Sequence, residues 1–259
     1  MFQAKQVEWN QQWELFEDNE LFLFKDWIYP VKIEDFINMD VLECGCGGGQ
    51  HTSFIATYAK QITAVDLNTV DIAAKRNKKF SNIAFVEADI ESMELGKTFD
   101  IVFSIGVVHH TNDPDRTVNN LQKHVKPGGK LILWVYSKEG NALISTIVEP
   151  LRKIFFYSLN KNILKFFSKV ITLFMYSVVY SLYSLPFHWM PYYEYLQNFK
   201  KMSFARNSLN VFDKLNAPQV QLISKERAES WFAGNDFVDI NITPYKGVSW
   251  RVNATRRIQ

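Results

Sequence analysis

The stretch Val41-Leu42-Glu43-Cys44-Gly45-Cys46-Gly47-Gly48-Gly49 sets a carboxylate two residues ahead of glycines at alternating positions. Glycine lets a backbone turn sharply and approach a ligand where a Cβ would collide. A dinucleotide site uses G-x-G-x-x-G, so that a helix N-terminus can hold a pyrophosphate. Here the spacing is E-x-G-x-G-x-G, and Glu43 at the strand tip suits a ligand with positive charge rather than a diphosphate. About 20 residues past the first glycine, the run Gln61–Val65 ends in Asp66, where an acid can accept both hydroxyls of a ribose. Asp89 follows a third apolar run and can accept from an exocyclic amine, with Ile90 covering a purine ring. A fourth run ends at Ser104-Ile105-Gly106-Val107-Val108-His109-His110. Histidine is the usual proton acceptor near neutral pH. His109 and His110 are therefore the candidate bases, and a satisfied structural role is the alternative for each.

Residues on separate runs meet only if strands end together. Periodicity predicts strands near 40–44, 61–66, 82–87, 99–104 and 130–136, and helices over 49–59, 69–79 and 114–125. Asp113-Pro114 starts the last of these helices, and Lys126-Pro127-Gly128-Gly129 reads as a tight turn. The alternation predicts a parallel sheet with helices on both faces and a ligand outside the carboxyl ends of its strands. Residues 210–218 read as a return loop, and Ser224 caps a helix that stops near Gly234. Residues 237–242 and 248–254 alternate and complete the sheet, the final strand antiparallel.

Over residues 39–136 these motifs resemble the class I S-adenosylmethionine-dependent methyltransferases of small-molecule type. The resemblance rests on Val41–Gly47, Asp66, Asp89-Ile90, Phe99–Val102 with Val107–His110, and Lys126–Gly129. It implies an α/β, Rossmann-like, seven-stranded and mostly parallel sheet with helices on both faces, plus an α-helical insertion or cap after the fifth strand. It implies S-adenosyl-L-methionine as donor and S-adenosyl-L-homocysteine as product. By the same resemblance Glu43 favours the cationic donor, and the backbone of Gly45, Cys46, Gly47 and Gly49 faces its amino-acid portion. Asp66 holds the ribose, Leu67 and Ile90 flank the adenine, Asp89 takes its amine, and Ser104 and Gly106 lie beneath the methyl position. Methyl transfer from a sulfonium is an in-line displacement, so the main task is holding a nucleophile on axis. A hydroxyl or amine acceptor then gives its proton to His109 or His110. The tail from residue 209 resembles, more loosely, methyltransferases with such an insertion in surface-saccharide and other small-metabolite pathways. The expected acceptor is thus a small metabolite, a saccharide or nucleotide-linked intermediate included. A methyltransferase on a lipid or quinone recruited by the insertion, and a non-catalytic donor-binding protein, are the alternatives.

Other features narrow the class. A net charge of +2 over 259 residues gives no general attraction to nucleic acid. The Asn- or Asp-Pro-Pro-aromatic turn that grips a flipped base is missing after the fourth strand. No metal is expected: adjacent histidines point apart, and the two cysteines, Cys44 and Cys46, read as packing residues on opposite sides of a strand end. The reducing compartment they suit, and a polar, acidic start unlike a signal peptide, lead to a cytoplasmic expectation.

Residues 1–38 form an N-terminal helical addition with Trp9 and Trp13 one turn apart, either packing on the parent domain or closing over the donor as a lid. Residues 39–139 and 209–259 make the donor-binding domain, and 140–208 the insertion. Between Pro150 and Tyr193 there is no acid. Lys161, Lys165 and Lys169 share one helix face, and Ile163, Phe167, Val170 and Phe174 another. Residues 170–193 carry no charge, but Pro186, His188 and Pro191 make a poor membrane span. The favoured reading is a cap over the crevice, or a homodimer interface, with a basic outer face. Membrane contact through 150–193 is the less favoured one. Trp9, Trp13, Asn141, Tyr192, Tyr193, Tyr195 and Arg251 are further pocket candidates.

Overall fold

Seven strands form one sheet in the order β3-β2-β1-β4-β5-β7-β6. They are β1 (Asp40–Cys44), β2 (Gln61–Asp66), β3 (Ile83–Glu87), β4 (Phe99–Ile105), β5 (Val125–Tyr136), β6 (Phe237–Tyr245) and β7 (Ser249–Arg256). The first five pair in parallel, and β7 runs antiparallel to both β5 and β6. The computed structural model describes residues 2–16, 20–156, 159–217 and 219–258, with residues 2–6 by backbone alone. The helices are α1 (Phe2–Leu15), α2 (Leu21–Ile28), α3 (Gln50–Ile55), α4 (Val70–Arg76), α5 (Pro114–Lys123), α6 (Glu149–Leu151), α7 (Lys161–Ser181), α8 (Tyr193–Phe199), α9 (Phe204–Asn216) and α10 (Lys225–Ser230). Wider π-helical turns, Ile144–Val148 and Arg152–Phe156, flank α6.

Strand alternation divides the core between the two sheet faces. Val41, Ile101, Phe103 and Ile132 pack with Phe24, Ile28 and Ile55 on one face. Leu42, Val102, Leu131 and Leu133 pack with Val118, Leu121, Ala228 and Trp250 on the other. Each such fully buried side chain contributes about 1.5–3 kcal/mol. Cys46 joins the first group and Cys44 the second; two residues apart in a strand would share a face, and they part because β1 ends at Cys44 and Cys46 lies in the turn beyond it. Asp113 caps α5, its carboxylate accepting the N–H groups of Asp115 and Arg116 at 3.1 and 3.0 Å. Strand order reverses between β1 and β4, which opens a crevice at their carboxyl ends.

Four expectations are corrected. Residues 126–129 are a bulge inside β5: Phe99 pairs with Val125 and Ile101 with Lys130, so the extra residues loop out around Gly128. Residues 210–216 are not a return loop but the end of α9, which Ser203 caps by accepting Arg206 N–H at 3.1 Å; Pro218 lies outside the described residues. A domain boundary at 208/209 would cut that helix. The basic stripe of α7 is an outer face only at Lys169. Lys161 donates to Asn216 at 2.7 Å and Lys165 to the Leu15 carbonyl at 3.1 Å, while Ile163, Phe167, Val170 and Phe174 stand exposed.

Candidate active site

A cavity of about 690 Å³ opens at the carboxyl ends of β1, β2 and β4 and continues beneath α1, α8 and α9. Its sheet-side wall contains Gly45, Cys46, Gly47, Asp66, Leu67, Asp89, Ile90 and Gly106. Gly47 holds φ +53° and has Trp13 pressed against it, since a Cβ there would sit 2.8 Å from the indole. Asp66 Oδ2 accepts the Gly47 N–H at 2.8 Å, and Oδ1 accepts the Leu67 N–H at 2.8 Å. A carboxylate oxygen has two lone pairs. Oδ2 therefore keeps one for a hydroxyl, and Oδ1 has only a long 3.4 Å approach from Asn68 N–H to displace. Leu67 and Ile90 supply apolar surface beside it, and Asp89 an acid at the far edge. This set fits a ribonucleoside donor.

Three residues expected on this wall lie behind it. Glu43 is 1% exposed and off the cavity; it accepts the Thr52 hydroxyl, and its other oxygen is 3.9 Å from His51 Nδ1. Burial pushes its carboxyl up to about 8, with Thr52 opposing and Asp66 adding to the rise, so it holds a proton at neutral pH in the free protein. Burial likewise pushes His51 down to about 3. Ser104 is fully buried and donates to the Cys44 carbonyl at 2.8 Å, which ties β4 to β1 rather than touching a ligand. Gly49, at φ +77°, leaves room for α4: a Cβ would lie 2.9 Å from Ala73, and its carbonyl accepts from Asn77 at 2.9 Å.

Helix α1 lies across the crevice. Asn10 donates to the Asn68 carbonyl at 2.7 Å, and Arg76 donates to the carbonyls of Trp13 and Phe16 at 2.6 and 3.0 Å. Trp9 rests on His110 with ring centroids 4.8 Å apart.

The two histidines part company in role. Their rings do not point apart as their adjacency suggested, but meet at 4.2 Å. His109 is fully buried, off the cavity wall, and accepts the Tyr136 N–H on Nδ1 at 3.3 Å, so its place as a candidate base is withdrawn. His110 lines the cavity, and its Nδ1 sits 2.8 Å from the Gln219 carbonyl. A carbonyl only accepts, so Nδ1 carries the proton and Nε2 keeps its lone pair. Burial lowers the pKa of His110 below 6.5, partly offset by Asp213 and the Gln219 carbonyl, which leaves the ring neutral at pH 7.

Opposite His110 stand residues that sequence reasoning missed. Asp213 accepts from Gln12 at 3.1 Å and faces the Tyr136 hydroxyl at 3.4 Å. Lys214 donates to the Tyr195 hydroxyl at 3.1 Å and lies between the Tyr136 and Tyr195 rings. Burial works against its charge, but Tyr195, Tyr136 and Asp213 outweigh burial and raise its pKa. The helix period running on from the Ser203 cap through Asn216 would have revealed the pair. Of the remaining candidates, Trp9, Trp13, Asn141, Tyr192 and Tyr195 line the cavity. Asn141 does so as a clamp, donating to the Ser137 and Val248 carbonyls at 2.8 Å. Tyr193 packs instead against Tyr183 and His188, and Arg251 against Tyr29 and Tyr245, because both project away from the cavity. Among the described residues, no group of three His, Cys, Asp or Glu side chains could hold a metal ion.

Comparison with known proteins adds the following. Residues 42–133 match the family described as "Methyltransferase domain". A ubiquinone biosynthesis O-methyltransferase of Rickettsia conorii is 29% identical over 119 residues, 44% of this chain and 40% of that protein. One from Coxiella burnetii is 32% identical over 112 residues, 42% of this chain and 48% of that protein. The match thus spans less than half the length of these relatives. Among solved structures, the N-methyltransferase NodS from Bradyrhizobium japonicum, in complex with S-adenosyl-L-homocysteine, is 14% identical with a TM-score of 0.51. That likeness covers 98% of this chain and 97% of that one. Magnesium protoporphyrin IX methyltransferase from Synechocystis, with the same product bound, is 13% identical with a TM-score of 0.50, over 96% and 84% of the two chains. At these identities the structural likeness is one of fold.

Proposed function

We propose, from a chain whose residues 42–133 form a class I methyltransferase domain, that this protein methylates a hydroxyl on a hydrophobic, ring-bearing acceptor. One observation carries the reading: a single cavity joins the Asp66 wall to the cluster of His110, Asp213 and Lys214. S-adenosyl-L-methionine, when bound, supplies an electrophilic methyl group on a positively charged sulfur.

Asp66 holds the donor's ribose hydroxyls, Leu67 and Ile90 flank its base, and the backbone from Gly45 to Gly47 borders its amino-acid portion, the space a Cβ would fill being taken by Val107 and Trp13. His110 Nε2 takes the proton of the acceptor hydroxyl, and Lys214 steadies the charge left on that oxygen. Trp9 and Trp13 keep water away, so α1 acts as a lid. Proton transfer to a positioned base contributes about 10²–10⁴-fold, and a cation in a dry site stabilises an oxyanion more than it would in water.

The acceptor end of the cavity is walled by Ile171, Met175, Leu209 and Leu215, besides its tryptophans and tyrosines. Such walls favour an apolar or aromatic acceptor over a saccharide, whose many hydroxyls would lose water without partners. The names of the two O-methyltransferase relatives support the same choice. The test is release of S-adenosyl-L-homocysteine with a panel of prenylated quinols, simple catechols and nucleotide sugars. Turnover is expected with the phenolic acceptors and highest with an apolar chain attached. Turnover with nucleotide sugars alone would reject the acceptor class. Tight donor binding with no turnover on any acceptor would favour a non-catalytic binding protein.

A further inference from the structure

Helix α7 has two unlike faces. Inward, Leu164, Ser168 and Thr172 are buried, Ser168 meets Ser208 of α9 at 3.2 Å, and Ile171 and Met175 reach the cavity wall. Outward, Ile163, Phe166, Phe167, Val170, Leu173 and Phe174 recur at helical spacing and are 40–69% exposed. Before the helix in sequence Ile154 and Phe155 are exposed as well, and after it Trp189, 81% exposed. Soluble monomers seldom expose contiguous apolar surface beyond a few hundred Å².

We propose that this face lies flat on an anionic lipid bilayer. Charge selects that occupant. No Asp or Glu lies between residues 150 and 193, while Lys169 is exposed beside the apolar strip, as is Lys153, whose ammonium lies 3.7 Å from Glu149. A second copy of this face would bring no acid from 150–193 to meet Lys169. Against acidic headgroups these lysines are complementary. An exposed tryptophan and tyrosines at the margin suit the headgroup boundary. Lys161–Ser184 is long and apolar enough to cross a membrane, an 18-residue window within it having mean hydropathy 1.5. Its inner face is nevertheless committed to α9, so the helix lies in the plane of the surface rather than through it. This docking is independent of the acceptor's identity, although the same helix walls the acceptor end of the cavity.

The test is flotation of the full chain with vesicles of phosphatidylcholine alone and of phosphatidylcholine mixed with phosphatidylglycerol. Binding is expected with the mixed vesicles, weakening as salt rises. The triple variant Phe166→Glu, Leu173→Glu, Phe174→Glu is expected to bind about 100-fold more weakly, with donor affinity unchanged by calorimetry. The double variant Lys153→Gln, Lys169→Gln leaves the apolar face intact and is expected to lose about 30-fold; it decides the matter if the triple variant misfolds. Failure of the wild-type chain to float with mixed vesicles overturns the proposal, as does unchanged binding by both variants. A lipid-free dimer that the triple variant converts to monomer, without flotation of the wild type, assigns the face to a second copy and also overturns it.

Discussion

The sheet-side wall of the cavity and its helical wall are made from different materials. On the first, strand ends and turns deliver ligand-facing groups one after another: the backbone at Gly45 and Gly47, then Asp66, then Asp89. Much of that wall is main chain, held by bonds such as Gly47 N–H to Asp66. On the second, Gln12, Tyr195, Asp213 and Lys214 come from three helices and meet one another and Tyr136 of β5 only through side chains. A wall of main chain is stiff and suits a donor whose shape does not change. A wall of side chains can be rebuilt residue by residue for a new acceptor. The family match, which ends at residue 133, falls on the first wall only.

His110 stands at the seam, and its loss should separate turnover from binding. His110→Ala is expected to lower kcat by about 10²–10⁴-fold, with donor affinity unchanged by calorimetry. Because the ring accepts a proton only when neutral, wild-type kcat/KM should rise with pH through a midpoint below 6.5 and then level off. The variant should lack that limb, and a limb that persists would assign the base elsewhere. Asp66→Ala should weaken donor binding by about 10–100-fold, through loss of a charged acceptor, and leave the acceptor KM little changed once donor saturates. Lys214→Met should do the reverse, raising the acceptor KM by about tenfold without moving the donor Kd. If either variant moved both constants together, the two walls would not be separable.

The smallest effect concerns stability behind the sheet-side wall. The unfolded chain ionises Glu43 near 4.5, whereas the folded protein keeps its proton up to about 8. Stability from this group is therefore lost as pH rises between those values, because the unfolded state releases a proton that the folded state retains. Glu43→Gln should raise the melting temperature of the ligand-free protein progressively across that window and leave it nearly unchanged at pH 4.5. An equal gain at both ends would reject the assignment.

The sequence alone was enough to read the sheet, the strand-end positions of Asp66, Asp89 and Gly47, and the cap at Asp113, because each depends on local periodicity and turn chemistry. It misjudged Glu43 and Ser104, which sit at the right points along their strands but point into the core. Alternation of side chains fixes the face, while depth behind a turn depends on what packs there. It also read the lysines of α7 as solvated and the stripe beside them as buried. A helical period reveals that two faces differ, but not which one meets a neighbour. Only the tertiary structure decided that Lys161 and Lys165 turn toward α1 and α9. Only it brought Asp213 and Lys214 opposite His110, across a gap of about a hundred residues in the chain. Pairings over that distance are set by how whole elements pack, and no local pattern records them.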